Sequence, residues 1–243
     1  PADSFFLEHS RDREINYIHR SIGRWTEALG FVTARLANTE TLSCLDIGAS
    51  PFTFLLGNRF GKVQALDLTS ALKKRCELFG IQLFEGGVTT AGSIAGLQKV
   101  DCIFFLEVIE HVHQSPVDIL KSLRGLLKPG GLLILSTPNM MCFANRVAML
   151  FNKKLKSFTY PPFSLKDGAH GFGHDRIYMP AELRDYFVES GFQNVETFYP
   201  RHFDDLAHEN FGLLGLVKSM VPAAAKSIFP SMRDGVALVG RQS

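Results

Sequence analysis

Apolar positions change their spacing along the chain, and the spacing predicts the secondary structure. Between residues 4 and 37 they recur every three or four positions. Examples are Ile15, Ile18, Ile22, Trp25 and Leu29. This period is typical of one or two amphipathic helices, so residues 1–40 are predicted to form an N-terminal helical cap. From residue 42 onward the pattern changes to short apolar runs, and residues 41–243 are predicted to form the main domain.

The main domain alternates between strand-like and helix-like segments. The predicted strands are 42–47, 62–68, 80–86, 100–106, 131–138, 195–200 and 235–241. The predicted helices are 51–59, 70–78, 88–97, 115–127, 139–151 and 181–190, with a helical insert at 203–230. The sequence Lys128-Pro129-Gly130-Gly131 is predicted to be a turn that leads into the fifth strand. Such alternation predicts a doubly wound, mostly parallel, seven-stranded α/β sheet, with ligands at the carboxyl ends of its strands.

Charge and composition restrict the class of protein. The net charge is +2, and no Lys/Arg-rich run stands out, which argues against a nucleic-acid partner. The four cysteines are far apart, without a C-x-x-C, and are interpreted as buried free thiols in a reducing compartment. Charged residues near the first position and an apolar stretch (211–225) that Lys218 and Pro222 interrupt argue against a signal peptide and a membrane span. We therefore expect a cytoplasmic protein.

The turn after the first predicted strand indicates a ligand site. Asp46 and Asp67 end the first two strands, 21 positions apart. A dinucleotide fold places an acid at a similar distance, but it needs G-x-G-x-x-G, and here the corresponding residues are Gly48, Ser50 and Thr53. Ser50 followed by proline is instead a good helix N-cap. An acid before the turn would repel a pyrophosphate, so a nucleoside ligand with a positive group is favoured.

Five segments in register resemble the class I S-adenosylmethionine-dependent methyltransferases. They are D-I-G-A-S (46–50), A-L-D-L-T (65–69), F-L-E-V-I-E-H-V (105–112), L-L-K-P-G-G-L-L-I-L-S-T-P-N (126–139) and, more loosely, residues 174–192. The resemblance implies that S-adenosylmethionine is the cofactor and S-adenosylhomocysteine its product. The cofactor-binding residues that it implies are Asp46, Gly48, Ala49, Ser50, Asp67, Leu68, Leu106 and Glu107. Asp67 would bind the ribose hydroxyls and Leu68 would flank the adenine.

This chain departs from the family pattern at two places. The family's acid-G-x-G-x-G keeps only Asp46 and Gly48. An acid that often follows the third strand and binds the adenine amino group is replaced by glycine, in Gly86-Gly87-Val88. The adenine contact could then come from Thr89 or from the main chain.

The segment E-V-I-E-H suggests three alternative roles. Glu107, Glu110 and His111 stand at i, i+3 and i+4, so a helix that begins here would place them on one face. They could simply begin a helix, or His111 could act as a general base. They could also bind a divalent metal with His170 or His174, as in the similar E-x-x-E-H site of methyltransferases that modify the 3′ ends of small RNAs. Our hypothesis assigns His111, Glu110 and His174 as catalytic candidates and does not commit to a metal.

The region after residue 138 is similar to methyltransferases encoded with glycan and lipid biosynthesis enzymes. We therefore expect O-methylation of a sugar, a lipid-linked glycan or a secondary metabolite. Alternatives are a metal-dependent RNA 2′-O-methyltransferase and a non-catalytic S-adenosylmethionine-binding regulatory module; an NAD-dependent dehydrogenase fits less well. An apolar face of the insert (Phe211, Leu214, Val217, Val221) suggests a contact with the domain, a homodimer partner or a membrane surface.

Overall fold

A computed structural model gives the structure of residues 2–155, 176–202 and 222–243; for residues 2–13 and Ala91 it describes the backbone only. His170 and His174, and residues 203–221 of the predicted insert, lie outside this part of the chain. The rest of the insert contains a helical segment at 222–228. The boundary predicted near residue 40 stays a prediction.

The described elements follow one another in the predicted alternation. The helices are α1 (Ala2–Thr33), α2 (Pro51–Gly57), α3 (Lys73–Leu78), α4 (Ala91–Ala95), α5 (Pro116–Gly125), α6 (Phe143–Leu150) and α7 (Pro180–Glu189). The strands are β1 (Ser43–Ile47), β2 (Lys62–Asp67), β3 (Gln82–Glu85), β4 (Val100–Leu106), β5 (Leu127–Pro138), β6 (Gln193–Phe198) and β7 (Gly235–Arg241). Short 3-10 helices lie at Thr39–Thr41, Ile109–His111 and Pro230–Met232.

The strands form one sheet in the order β3-β2-β1-β4-β5-β7-β6. Strands β1 to β5 are mutually parallel where they pair, and β7 runs antiparallel to both β5 and β6. Strands β2 and β3 are added on one side of β1, and β4 and β5 are added on its other side. The order of the strands thus reverses between β1 and β4, and the carboxyl ends of these two strands open a crevice. The predicted doubly wound, mostly parallel seven-stranded fold is confirmed.

The start of β5 differs from the prediction of a turn. The strand begins at Leu127, opposite Val100, and its register then shifts so that Cys102 pairs with Leu132. Gly131 lies in this irregular stretch, where a Cβ would meet the carbonyl oxygen of Lys128 at 2.9 Å and that of Asp101 at 3.1 Å. The Lys-Pro-Gly-Gly sequence is therefore accommodated as a bulge inside a long strand rather than as a turn before it.

Two hydrophobic cores cover the two faces of the sheet. Alternate residues of a strand point to opposite faces, and β5 shows this clearly. Leu133 and Leu135 belong to the core that includes α5 and α7, whereas Leu132 and Ile134 belong to the core that includes α1 and α2. The face on which a side chain lies thus follows from its position in the strand.

Helix α1 is one continuous helix that packs on the second of these cores. Trp25 is buried and stacks on Phe52 of α2, with 5.8 Å between ring centroids. Polar contacts of this segment include Glu14 of α1 with Arg75 of α3 (2.5 Å) and Arg35, two residues after α1 ends, with Glu196 of β6 (2.6 Å). The N-terminal helical cap is thereby confirmed as a helix. Among the described helices, no stretch combines the length and the hydropathy that crossing a membrane needs.

Candidate functional site

The turn after β1 brings the backbone close to the crevice. Gly48 adopts φ +86°, a conformation that side chains other than glycine rarely take, and its N–H donates to the carbonyl of Leu66 at 2.9 Å. A Cβ at this position would lie 2.9 Å from Cγ2 of Val108, which follows β4. Gly48 is therefore required both by its dihedral angle and by the space between the β1 and β4 ends.

Thr53 stands where the dinucleotide pattern has its third glycine, and its side chain forms two hydrogen bonds. Its hydroxyl accepts from the N–H of Ser50 at 2.9 Å and donates to Oδ2 of Asp46 at 2.5 Å. Ser50 in turn caps α2, since its Oγ accepts from the N–H of Phe52 at 3.2 Å. The predicted Ser50 cap is confirmed. Thr53 connects this cap to the buried acid.

Asp46 lies below the surface of the crevice. Only 2% of the residue is exposed. Burial raises the pKa of its carboxyl to about 7; the hydrogen bond from Thr53 opposes the rise, and the charge of Asp67 adds to it. Asp46 therefore lies beneath the turn, hydrogen-bonded to Thr53, with its carboxyl only partly ionised near pH 7.

Asp67 and Leu68 stand at the end of β2, at the rim of the crevice. Oδ1 of Asp67 accepts from the N–H and the hydroxyl of Thr69, at 2.9 and 3.2 Å. Leu68 is 64% exposed, and a Cβ on Gly87 would lie 3.4 Å from its Cδ2. Asp67, whose contacts to Thr69 use only Oδ1, is thus followed directly by the exposed side chain of Leu68, which lies beside Gly87.

Glu107, at the end of β4, faces the α1 side of the sheet. Its Oε1 accepts from the hydroxyl of Ser136 at 2.7 Å, and its Oε2 lies 3.7 Å from Nη1 of Arg24 on α1. Its backbone is in the left-handed region, with φ +57°. A non-glycine residue in this region carries backbone strain, which is frequent at functional sites.

Glu110 faces the opposite side of the sheet. It is 1% exposed, and its Oε2 accepts from the hydroxyl of Thr137 at 2.9 Å. Because Ser136 and Thr137 are successive strand residues, they direct Glu107 and Glu110 to opposite faces. The prediction of a helix with both acids and His111 on one face is wrong, since residues 109–111 form a single 3-10 turn after a left-handed Glu107.

His111 ends this turn and lies partly exposed at the carboxyl edge of the sheet. Its N–H donates to the carbonyl of Val108 at 3.0 Å, and the N–H of Arg176 donates to the carbonyl of Glu110 at 3.3 Å. The buried Glu110 thus holds the turn in place, which fits a positioning role; its catalytic assignment stays a prediction. In the described ranges, no cluster of three or more His, Cys, Asp or Glu side chains has the arrangement of a metal site.

Four residues of this edge were not identified from the sequence. They are Arg24, Thr53, Ser136 and Thr137. Each acts by binding an acid at the end of β1 or β4, or just after β4. Ser136 and Thr137 belong to the S-T-P-N motif, which is part of the family resemblance. Two hydroxyl groups next to a predicted strand end could have indicated hydrogen-bond partners for nearby acids. Arg24 is 83 positions from Glu107 in the sequence, and no local pattern connects the two.

The geometry of the β1 and β2 ends fits S-adenosylmethionine. Gly48 allows the turn its positive φ and its close approach to Val108, so the main chain at the β1 end carries no side chain there. Asp67 can accept hydrogen bonds from ribose hydroxyls, and the exposed Leu68 offers an apolar surface to an adenine ring. The carboxylate of Asp67 at the rim makes the crevice favourable for a cationic ligand.

The buried Glu110 makes the stability of the protein dependent on pH. Burial raises its pKa from 4.5 to about 7, while Thr137 and the charge of Arg24 oppose the rise. A raised pKa in the folded state favours the protonated form. The contribution of Glu110 to the free energy of unfolding should therefore be fully present below pH 4.5 and should fall by up to about 3 kcal/mol as the pH rises to 7.

We expect Glu110→Gln to remove this contribution. In urea unfolding followed by circular dichroism between pH 5 and 8, the variant should gain stability relative to the wild type as the pH rises. Glu189→Gln, on the exposed side of α7, is the matched control and should follow the wild type. Parallel curves for Glu110→Gln and the wild type would contradict the prediction.

Comparison with known proteins identifies the family. A family profile described as a methyltransferase domain matches residues 17–197. A ubiquinone biosynthesis O-methyltransferase of Roseobacter denitrificans is 28% identical over 180 residues, which are 70% of this chain and 69% of that protein. A protein of the same name from Cereibacter sphaeroides is 28% identical over 163 residues, 65% of this chain and 62% of that protein.

Solved structures share the fold at low sequence identity. A methyltransferase of Thermotoga maritima, described as a possible histamine N-methyltransferase, has a TM-score of 0.58 and 16% identity and covers 99% of this chain and 97% of its own. The N-methyltransferase NodS of Bradyrhizobium japonicum, in complex with S-adenosylhomocysteine, has a TM-score of 0.51 and 14% identity, with coverages of 92% and 87%. Since the profile matches most of the chain and solved S-adenosylmethionine-dependent methyltransferases share its fold, the protein belongs to the class I S-adenosylmethionine-dependent methyltransferases.

Proposed function

We propose that this methyltransferase transfers the methyl group to a hydroxyl oxygen of a small-molecule acceptor. The similarity to ubiquinone biosynthesis O-methyltransferases over 70% of the chain carries this proposal. The solved structures of similar fold include N-methyltransferases, so the acceptor atom needs its own experiment.

Residues at the β1 and β2 ends would hold the cofactor. The main chain at Gly48 and Ala49 would contact its methionyl end, with Ser50 and the buried Asp46 beneath the turn. Asp67 would accept from the ribose hydroxyls and Leu68 would contact the adenine. S-adenosylmethionine supplies an electrophilic methyl group on a sulfonium, and its transfer to oxygen is an in-line displacement. The protein then needs chiefly to align the acceptor and exclude water.

Leu106 and Glu107 would close the pocket at the end of β4, and His111 would act there as the general base. A hydroxyl becomes a better nucleophile as it loses its proton, and an imidazole at the mouth of the crevice can accept that proton while the methyl group arrives. The turn that carries His111 is held by main-chain bonds at 3.0 and 3.3 Å and by the buried Glu110. These contacts support a fixed position for the base. His174, outside the described residues, stays a catalytic candidate.

Finer features of the acceptor remain predictions. A sugar, a lipid-linked glycan and a secondary metabolite are all acceptors that carry hydroxyl groups, and the curated relatives add a compound of ubiquinone biosynthesis to this set. Cytoplasmic location, a homodimer and peripheral membrane contact are likewise predictions. An RNA acceptor, a divalent metal and a purely regulatory role stay as alternatives that the experiment below separates.

The proposal is tested by measuring S-adenosylhomocysteine release with an acceptor panel that also contains a short RNA. Turnover on the RNA alone would favour the RNA alternative. We expect turnover with catechols and hydroxylated sugars, and little with matched aromatic amines. Product mass and NMR would locate the methyl group on oxygen. Methylation only at nitrogen would overturn the proposal. Complete loss of activity in EDTA with recovery in Mg²⁺ would favour the metal-dependent alternative, and tight cofactor binding without turnover on any acceptor would favour the regulatory one.

A further inference from the structure

A group of polar residues lies at the carboxyl edge of the sheet, beyond the cofactor crevice. Arg146 is in the first turn of α6, eight residues after β5 ends at Pro138. Pro138 pairs with Gly235, the first residue of β7, so the segment just before β7 reaches the same edge. Asn139 fastens this segment, since its Nδ2 donates to the carbonyls of Ser231 and Arg233 at 2.9 and 2.8 Å.

The guanidinium of Arg146 is held in a fixed orientation. Its Nε donates to the carbonyl of Met141 at 2.6 Å, and its Nη2 donates to Oγ of Ser231 at 3.3 Å and to the carbonyl of the same residue at 3.5 Å. Its charge also acts on the phenol of Tyr199: burial raises the pKa of Tyr199, and Arg146 opposes the rise. The guanidinium is therefore hydrogen-bonded to one hydroxyl, that of Ser231, and acts on a second, that of Tyr199, through its charge.

The charge balance around Arg146 is positive. Within the described ranges no acidic side chain forms an ion pair with it, and the neighbouring Asp234 is paired with Lys226 instead. Arg233 adds a second guanidinium, which donates to the carbonyls of Tyr199 at 2.5 Å and of Lys226 at 3.3 Å. Two arginines thus flank Tyr199 with carbonyl and hydroxyl groups as their partners. Such a partly buried positive region favours an anionic ligand.

We propose that Arg146, together with the hydroxyl of Ser231, binds an anionic group of the methyl acceptor, a carboxylate or a phosphate. A hydroxyl that accepts from a guanidinium can still donate its own proton to an anion. Strands β4 and β7 are separated only by β5, so the start of β7 beside this group lies about 10 Å across the sheet from the strand end that carries Glu107. An acceptor of the size of a substituted ring or a monosaccharide spans that distance. The inference rests on the proposed function and specifies its substrate class.

A purely structural role for Arg146 gives a different expectation. Its bonds to Met141 and Ser231 connect α6 to the segment before β7, and their loss would lower stability whatever the ligand. Arg184 on α7 offers the matched control, because its Nη1 donates to the carbonyl of Val195 at 2.5 Å on another part of the sheet. A structural arginine should not distinguish an anionic from a neutral ligand.

The test measures binding and turnover separately. Calorimetry on protein saturated with S-adenosylhomocysteine would compare benzoate, phenyl phosphate and the neutral benzamide for the wild type, Arg146→Met, Arg146→Lys and Arg184→Met. At least one anion should bind the wild type and Arg184→Met about 10-fold more tightly than benzamide. Arg146→Met should abolish this preference and Arg146→Lys should keep part of it. The preferred anion distinguishes a carboxylate from a phosphate subsite.

Turnover provides a second readout. The ratio of kcat/KM for 3,4-dihydroxycinnamate to that for its methyl ester should fall about 10-fold in Arg146→Met and should not change in Arg184→Met. No preference for either anion in the wild type, or a preference that persists in Arg146→Met, would overturn the inference. If neither catechol is methylated, O-methylation of catechols fails, and the calorimetry still decides the anion subsite.

Discussion

Replacing His111 with asparagine should lower kcat for O-methylation about 100-fold or more. The loss of a general base typically costs two to four orders of magnitude, because the acceptor hydroxyl must then lose its proton to water. Asparagine can still form hydrogen bonds in the turn but cannot take a proton at neutral pH. The affinity for S-adenosylmethionine, measured by calorimetry, should stay close to the wild-type value, since His111 would act on the acceptor.

Chemical rescue provides a check on this role. With His111 as the base, added imidazole should restore part of kcat in His111→Asn and should leave the wild type unchanged. His113→Asn is a matched control two positions later, on an exposed residue beyond the 3-10 turn, and should retain the wild-type kcat. A His111→Asn enzyme with an unchanged kcat would mean that another group takes the proton or that none is needed.

Asp67→Ala should weaken the binding of S-adenosylmethionine about 100-fold. The carboxylate stands at the end of β2, where its hydrogen bonds to Thr69 use Oδ1 and thereby orient the group. A hydrogen bond to a charged group contributes about 1.5–3 kcal/mol, and a ribose offers two hydroxyls to the same carboxylate. Calorimetric titration with S-adenosylmethionine and S-adenosylhomocysteine measures the effect, and both ligands should lose affinity equally because they share the ribose.

Asp185→Ala on α7 is the matched control, since it removes an exposed aspartate on another helix. It should bind both ligands as the wild type does. The affinity of Asp67→Asn for both ligands should lie between those of Asp67→Ala and the wild type, because an amide keeps one acceptor and loses the charge. Equal affinities of Asp67→Ala and the wild type would remove Asp67 from the cofactor site and would leave the main chain of the glycine turn as the principal contact.

The sequence was sufficient to predict the fold because the fold depends on patterns of short range. The alternation of apolar runs with helical segments predicted every strand of the sheet to within a few residues, and Ser50-Pro51 predicted the start of α2. The parallel sheet then requires that Asp46 and Asp67 lie at one edge, since the carboxyl ends of parallel strands meet there. Both the fold and the position of the cofactor crevice are therefore encoded locally.

The surroundings of the acids could not be predicted in the same way. Glu107 and Glu110 are three positions apart, which suggested one helical face, yet their hydrogen bonds go to Ser136 and Thr137 on opposite faces of β5. These partners are 29 and 27 positions distant in the sequence. The left-handed φ of Glu107 prevents a helix from beginning there. Glutamate seldom adopts this conformation, so the sequence gives no reason to predict it.

The sequence by itself determined the class of fold, the order of the elements and the strand ends that form the crevice, because periodicity and capping act between neighbouring residues. Only the tertiary structure decided that Asp46 and Glu110 are buried, that Arg24 of α1 reaches Glu107, and that Arg146 meets Ser231. Burial and charge pairing depend on which distant residues the sheet brings together. The chemistry of this edge is therefore a property of the folded chain.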